Sequence, residues 1–237
     1  MPPESKKHGC QSVPIDRLSN LPENVTNSIL MRLSLRRAVR TSILSKKWRY
    51  KWCKLPQLTI DCALWYKTND SLSPTIKFTK IMYQILTLHS GPLTKFTLFA
   101  SELRKYSKIG SLIYFLSRND IQDLVLEFSR WNRYRLPPPF FTLSQLRHLT
   151  LQNCVICSPP AFKGFDRLNS LNLRDVTISS ELLESLISHS PLLEKLVLEI
   201  SDTSNPIHIN APNLTSLELR DCIKYYSSSN VPRLSKL

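Results

Sequence analysis

The chain has 237 residues, 42% of them hydrophobic, which is enough for one large domain or two smaller ones with a sizeable core. Its formal net charge of +14 is compatible with an acidic protein, a nucleic acid or an anionic membrane as partner. Only 4 glycines stand against 16 prolines, which argues against many tight hairpins or phosphate-cradling loops. No apolar run reaches the roughly 18 residues of a membrane span, and the first residues lack the apolar core of a signal peptide. We therefore expect a cytoplasmic or nuclear protein whose six cysteines are reduced thiols.

The positive charge is concentrated near the N-terminus. Residues 1–60 carry 12 Lys and Arg against 3 Asp and Glu, a net charge of +9, whereas residues 61–237 carry a net charge of +5. This asymmetry indicates two parts. The polar residues 1–14 are predicted to form a disordered tail.

Three short helices are predicted after this tail. Pro22 suits the first turn of a helix, and apolar residues then recur at near-helical spacing as far as Leu33. A second helix is predicted over residues 36–44. Ser45 is a suitable N-cap for a third. A unit of this size is near the lower limit for folding alone, so we expect it to pack against something else.

Two tryptophans, Trp48 and Trp52, lie four residues apart on the predicted third helix. Each has roughly 150–250 Å² of surface to bury. They therefore either belong to the internal core or form an interface. We favour an interface for Trp48, and for Trp52 we leave both interpretations open, including packing on the following domain.

The segment "LSNLPENVTNSILMRLSLRRAVRTSILSKKWRYKW" resembles an F-box of the plant type. That family usually has Pro where this chain has Ser34, and an acidic residue where it has Arg37. The resemblance implies docking onto a Skp-type adaptor, and through it onto a cullin, in a ubiquitin ligase complex. The adaptor-binding residues that it implies are Leu21, Pro22, Val25, Ile29, Leu30, Leu33, Val39, Leu44, Trp48 and Trp52.

The rest of the chain is repetitive. Six segments fit L-x-x-L-x-L or a close variant, and they begin at Leu93, Ile121, Leu146, Leu168, Leu193 and Leu214; "LSKL" from Leu234 opens a seventh. Successive starts are 28, 25, 22, 25, 21 and 20 residues apart, within the range of leucine-rich repeats. Alternating leucines predict short strands with one buried face, stacked in a parallel sheet. "SSELLESLISHSP" is predicted to return as a helix, whereas "PPPFF", "SPPAF" and "APN" predict non-helical returns.

"SPLLEKLVL" and "INAPNLTSLELRDC" resemble the leucine-rich region of plant F-box proteins that often end in an FBD domain. We expect this chain to lack the FBD domain. We expect an α+β protein: a small three-helix F-box followed by an α/β leucine-rich-repeat solenoid with a curved parallel sheet, open at its C-terminal end. The expected divisions are a tail over 1–14, the F-box over 15–54, a linker and first strand over 55–92, and repeats over 93–237 with the last one incomplete. A missing end cap predicts an exposed sheet edge.

No residues with the spacing of a catalytic or metal site stand out. "CVIC" at Cys154–Cys157 could suggest a metal site, but Cys154, Val176 and Cys222 each fall three residues after a strand leucine. That slot is the Asn/Cys position of a leucine-rich repeat, which small buried residues fill. We expect no cofactor, no metal site and no enzymatic activity.

A protein target is expected to bind the strand residues that alternate with the buried leucines. These residues are His148, Thr150, Gln152, Asn172, Arg174, Lys195, Val197, Glu199, Glu218 and Arg220. The predicted row Gln152, Arg174, Glu199, Arg220 has mixed charge, which is unlike a nucleic-acid groove. Separately, Trp131, Tyr134 and Arg135 are candidates for a loop contact.

Three functions remain open at this level. The first is a non-enzymatic substrate receptor of a Skp–cullin–F-box ubiquitin ligase. The second is a basic nucleic-acid-binding protein, which the +9 segment suggests. The third is a truncated receptor that binds the adaptor alone.

Overall fold

The structure is a computed structural model. It describes residues 18, 20–62, 64, 72–101, 103, 108–162, 164–200 and 207–220, together with the backbone of 226–228. The α-helices are α1 (Glu23–Met31), α2 (Leu35–Arg40), α3 (Pro74–Leu88), α4 (Ile109–Ser117) and α5 (Ser180–Ser188). The 3₁₀ helices are Thr41–Ile43, Lys51–Lys54 and Pro138–Thr142.

A seven-stranded parallel sheet forms the larger part of the described chain. Its strands, in spatial order, are β1 (Gln57–Ile60), β2 (Lys95–Phe99), β3 (Asp123–Glu127), β5 (His148–Gln152), β7 (Ser170–Arg174), β8 (Lys195–Glu199) and β10 (Ser216–Arg220). Two smaller parallel pairs are formed by β4 (Tyr134–Arg135) with β6 (Cys154–Val155), and by β9 (Ile207–Ile209) with β11 (Tyr226–Ser228). The α+β class is confirmed.

The leucines of successive strands pair in register. Leu124, Leu149, Leu171 and Leu196 are successive partners from β3 to β8, and Leu217 continues the row in β10. All of them are buried. Removing one such side chain, as in Leu171→Ala, is expected to cost about 2–5 kcal/mol of folding free energy. The six predicted strands are therefore confirmed, whereas the predicted seventh segment from Leu234 lies outside the described residues.

The returns between strands differ in structure. The segment predicted as a helix is α5, whose N-cap Ser179 accepts a hydrogen bond from the backbone N–H of Leu182. The "PPPFF" segment, predicted as non-helical, forms the short 3₁₀ helix Pro138–Thr142. A helix, α3, also follows β1. It lies within the region that was predicted to be a linker. Its apolar residues Phe78, Met82 and Ile85 are buried.

The F-box segment is fastened to the first repeat by backbone contacts. The N–H groups of Ser90 and Gly91 donate to the carbonyl oxygen of Cys53, at N···O distances of 2.9 and 3.3 Å. Gly91 lies so close that a Cβ atom there would be 2.7 Å from the Cα atom of Lys54. His89 is also buried, with its Nε2 atom 3.0 Å from the carbonyl oxygen of Leu55.

Gly91→Ala is expected to destabilise the protein by about 1–3 kcal/mol, because the added methyl group meets backbone atoms that cannot move aside. The measurement is the midpoint of urea unfolding. Gly110→Ala in α4 is the matched control, since its Cβ would meet only the Tyr134 hydroxyl at 3.7 Å. Replacing a glycine within a helix by alanine should stabilise the protein, by about 1 kcal/mol at most. Equal midpoints for the two variants would contradict the close packing at Gly91.

Burial lowers the pKa of His89, and its hydrogen bond to the Leu55 carbonyl offsets this only in part. The unfolded chain therefore binds a proton at a higher pH than the folded chain does, so stability is lost as pH falls from about 7 towards 5. His89→Gln can still donate to Leu55 but does not titrate. Its urea midpoint should vary less than that of the natural protein across this pH range, and an unchanged pH dependence would contradict the assignment.

Candidate functional site

Exposed apolar side chains are concentrated in the F-box segment. Of fifteen exposed large apolar side chains among the described residues, eight lie between residues 18 and 50. Val25 and Ile29 are one helical turn apart on α1, and Val39 lies on α2. Ile43 and Leu44 follow at 84% and 53% exposure. We call these five residues the apolar helical surface. The concentration of exposed apolar side chains in one short segment makes it a candidate interaction surface.

Three of the predicted adaptor-binding residues are instead buried within the chain. Leu30, Trp48 and Trp52 are 0%, 2% and 6% exposed. The physical reason is that residues 46–50 form turns and Lys51–Lys54 a 3₁₀ helix, so no third α-helix presents both indole rings outward. This corrects the assignment of all three as direct contacts and makes them part of the core.

Each tryptophan has a separate internal role. The Trp48 Nε1–H donates to the carbonyl oxygen of Leu18 at 3.3 Å, and the Lys51 Nζ atom lies 5.7 Å from the centre of the Trp48 ring. Trp52 lines a groove of about 200 Å³ together with Ile81 and Ile85 of α3. Trp52 thus packs where the F-box segment meets the first repeat, which is one of the two interpretations left open by the sequence.

The remaining predicted adaptor-binding residues differ in accessibility. Leu21 and Leu33 are half-buried and pack against the core, whereas Pro22 is exposed. Ile43 was not assigned to the site from sequence, although it is among the most exposed apolar side chains described. A side chain at the end of a short helix gives no periodic signal that distinguishes a partner-facing position from a solvated one.

Basic side chains are concentrated in the C-terminal part of the F-box segment. Lys46, Lys47, Lys51 and Lys54 line a groove of about 430 Å³ with the exposed ring of Tyr50. Glu23 also lines this groove, and its carboxylate lies 4.0 Å from the Lys54 Nζ atom. Both of those side chains are largely exposed, so the pair contributes little. This groove of the F-box segment therefore carries mainly positive charge.

The strand residues between the leucines form three continuous rows on the other side of the sheet, here called the ladder face. The predicted row Gln152, Arg174, Glu199, Arg220 is confirmed by the register. The other two rows are His148, Ser170, Lys195, Ser216 and Thr150, Asn172, Val197, Glu218. The same rows extend to Asp123, Val125 and Glu127 of β3, which the sequence reasoning did not assign to the site.

The ladder face has mixed charge and internal pairing. The Arg220 guanidinium lies 2.6 Å from the carboxylate of Glu218, and His148 lies 3.8 Å from that of Asp123. Arg174 donates to the side-chain oxygen of Asn172 at 3.2 Å. Val197 is buried in the middle row, so its predicted accessibility to a target is wrong.

Trp131, on the loop after β3, is 84% exposed, and the Arg130 guanidinium lies 4.9 Å from its ring centre. Tyr134 differs from the sequence interpretation. It is half-buried, its ring stacks on Phe128 at a centroid distance of 4.9 Å, and burial raises its pKa. Tyr134 therefore supports the loop, while Trp131 and Arg135 remain exposed.

A further groove of about 1020 Å³ lies on the side of the returns and was missed by the sequence reasoning. Pro138, Phe141, Phe162 and His189 are among its lining residues. The rings of Phe141 and Phe162 are 4.9 Å apart between centroids. The proline-rich returns signalled only irregular structure, and nothing in their spacing indicated that two of them would meet.

The buried-cysteine slot is confirmed at Cys154 and Val176, which are both buried, while Cys222 lies outside the described residues. Burial raises the pKa of the Cys154 thiol to about 12, an effect that nearby Arg133 partly offsets. The described residues contain no cluster of three His, Cys, Asp or Glu side chains that could hold a metal ion.

A small helical module with an exposed apolar surface, followed by a parallel ladder of leucine-lined strands, defines an F-box protein with leucine-rich repeats. Comparison with known families agrees. The F-box domain profile matches residues 18–58, and the profile described as "FBD-associated F-box protein At5g56370, LRR repeats" matches residues 109–237, more than half of the chain. The chain belongs to the plant F-box/leucine-rich-repeat family.

Curated relatives from Arabidopsis thaliana extend over both parts. The F-box/FBD/LRR-repeat protein At1g13570 is 40% identical over 219 residues, covering 92% of this chain and 52% of the relative. The F-box/LRR-repeat protein At5g02910 is 31% identical over 188 residues, covering 78% and 38%. F-box/LRR-repeat protein 25 is 26% identical over 216 residues, covering 88% and 78%. The chain spans about half the length, or less, of the first two relatives.

No solved structure matched the chain. Within the described residues, none of the helices combines the length and apolar character required to cross a bilayer.

Cys157 should be alkylated by iodoacetamide well before Cys154 in the folded protein. Cys157 is exposed, whereas the Cys154 thiol is buried and stays protonated below its pKa of about 12. Peptide mapping by mass spectrometry after short exposure at mildly alkaline pH checks this, with a urea-unfolded sample as control. Equal labelling of both thiols in the folded state would contradict the buried slot.

Proposed function

We propose that this chain is the target-recognition subunit of a Skp–cullin–F-box ubiquitin ligase. The F-box segment binds the Skp-type adaptor, and the repeats bind a protein target. The chain itself performs no chemistry, since ubiquitin transfer belongs to other subunits. The observation that carries the proposal is the apolar helical surface, together with the F-box match over residues 18–58.

The adaptor would cover the apolar helical surface. Ile43 and Leu44 leave large apolar areas in water, and burying such a side chain contributes about 1.5–3 kcal/mol. Three predicted contact residues drop out, because Leu30, Trp48 and Trp52 support the surface from within. Leu21, Pro22, Val25, Ile29, Leu33, Val39 and Leu44 remain as proposed contacts, and Ile43 is added to them.

The lysines of the F-box segment indicate the character of the partner. Lys46, Lys47, Lys51 and Lys54 would attract an acidic adaptor surface and raise the association rate. The N-terminal excess of positive charge then has a role that requires no nucleic acid. Arg37, which is exposed on α2, adds to the positive charge of the F-box segment.

A protein target would bind the ladder face. Its rows alternate carboxylates, guanidinium groups and amides, so no continuous strip of positive charge runs along them. A nucleic acid would meet the carboxylates of Glu127, Glu199 and Glu218 there. Between β3 and β10 the rows also offer it no Phe, Tyr or Trp side chain for stacking. These features support a protein target over the nucleic-acid alternative.

Leu44→Asp should weaken adaptor binding by more than tenfold, because it places a charge in the centre of an apolar interface. Isothermal titration of a Skp-type adaptor into the full chain measures the effect. Leu192→Asp is the matched control, since Leu192 has similar exposure, 48% against 53%, but lies among the repeats.

The control variant should bind the adaptor as the natural chain does. Equal affinities for both variants, or an intact chain that does not bind the adaptor but binds DNA with a steep salt dependence, would overturn the proposed function.

A further inference from the structure

The loop between β3 and β4 presents a large aromatic side chain to solvent without an evident structural use. Trp131 is 84% exposed, although a tryptophan usually buries most of its surface. Neither the packing of the F-box segment nor the rows of the ladder face includes it. Tryptophan and arginine are the residues most enriched among those that dominate binding energy at protein interfaces.

The Trp131 loop is held in place on its N-terminal side. The Trp131 N–H donates to the Ser129 hydroxyl at 3.3 Å, and the Asn132 N–H donates to the Ser129 carbonyl oxygen at 3.2 Å. Ser129 is buried and follows Phe128, which is also buried. The indole therefore projects from a turn whose backbone is fixed by the core below it.

The C-terminal side of the loop is fixed as well. Tyr134 and Arg135 pair with Cys154 and Val155 in the β4–β6 ladder. The Arg133 Nη1 atom donates to the Thr177 hydroxyl at 2.6 Å, which ties the loop to a segment 44 residues away in sequence. Because the loop is already held in place, little conformational entropy would be lost when a partner binds to it. Such preorganisation favours affinity.

The positive charge of the loop indicates a partner that carries negative charge. Arg130, Arg133 and Arg135 are exposed, and within the described part of the chain none of them forms an ion pair. The Arg130 guanidinium lies 4.9 Å from the Trp131 ring centre. Three exposed guanidinium groups without an ion pair, one of them over the Trp131 ring, are complementary to carboxylates next to an apolar side chain.

We propose that Trp131, Arg130, Arg133 and Arg135 form an anchor for an acidic segment of the protein target, and we call these residues the anchor loop. The proposal rests on the proposed function, since it names the class of target that the repeats would recognise. The anchor loop directly follows β3, whose last residue, Glu127, belongs to a row of the ladder face. A target seated on the anchor loop can therefore continue onto that face.

A single-stranded nucleic acid is the less favoured ligand. It would stack on Trp131 but would need positive charge along a path of several nucleotides. The row nearest the anchor loop instead carries the carboxylates of Glu127 and Glu199. An acidic protein segment of limited length fits the loop and avoids them.

The test uses the full chain and three fluorescein-labelled probes, measured by fluorescence anisotropy. The probes are a short Glu/Asp-rich peptide with one Phe, the same peptide with Gln and Asn in place of the acidic residues, and a mixed-sequence single-stranded RNA. The natural chain should bind the acidic peptide tightest of the three. Trp131→Ala should weaken that binding about tenfold or more.

A charge-matched pair of variants separates the anchor loop from general attraction. Arg130→Gln combined with Arg135→Gln should weaken binding of the acidic peptide about tenfold. The control, Arg147→Gln combined with Arg167→Gln, makes the same change in net charge at exposed positions near the other ends of the strands. It should leave the affinity within about twofold of the natural chain.

The proposal is overturned by any of three results: no preference for the acidic over the amide peptide, equal loss in both double variants, or tighter binding of the RNA that depends on Trp131. Adaptor binding of the same variants is measured in parallel. If the acidic peptide binds through the anchor loop but the adaptor is not bound, the proposed function fails and the anchor remains. If the adaptor binds and the peptide does not, only the anchor fails.

Discussion

In-register stacking of leucine-lined parallel strands is the constraint on which the rest of the structure depends. A single strand such as β7 has two leucines that it cannot bury alone. The paired leucines of its neighbours β5 and β8 cover them. Register follows from this burial, since a slip of one residue would turn every leucine to the other face. The same register fixes the alternate residues in rows, so the ladder face is a by-product of the core.

Contacts between the F-box segment and the first repeat connect the F-box helices to the stacked strands. Cys53 accepts hydrogen bonds from Ser90 and Gly91, and Trp52 lies beside apolar side chains of α3. Helices that would be marginal alone thereby share the core of the repeats. This arrangement links the apolar helical surface to the ladder face through packed side chains rather than through an open linker.

The sequence predicted the elements whose pattern repeats. Six segments with leucines at fixed offsets identified six strands and the row that contains Arg174 and Glu199. The sequence-based prediction failed where one spacing of residues is compatible with two backbone conformations. Trp48 and Trp52 have helical spacing, but the backbone there turns and then forms a 3₁₀ helix, so both rings go inside. Helix α3 lay in a region without a leucine repeat. Trp131 was recognised as a candidate loop contact, but no spacing reveals the hydrogen bond to Ser129 that holds its backbone.

We propose that two separate surfaces serve two separate partners. Hydrogen–deuterium exchange of the full chain, with and without a Skp-type adaptor, tests this arrangement most directly. Adaptor binding should slow exchange in α1, α2 and residues 41–44, and it should leave exchange in β5, β7, β8 and β10 unchanged. Protection of those strands by the adaptor, with none in the two helices, would contradict it.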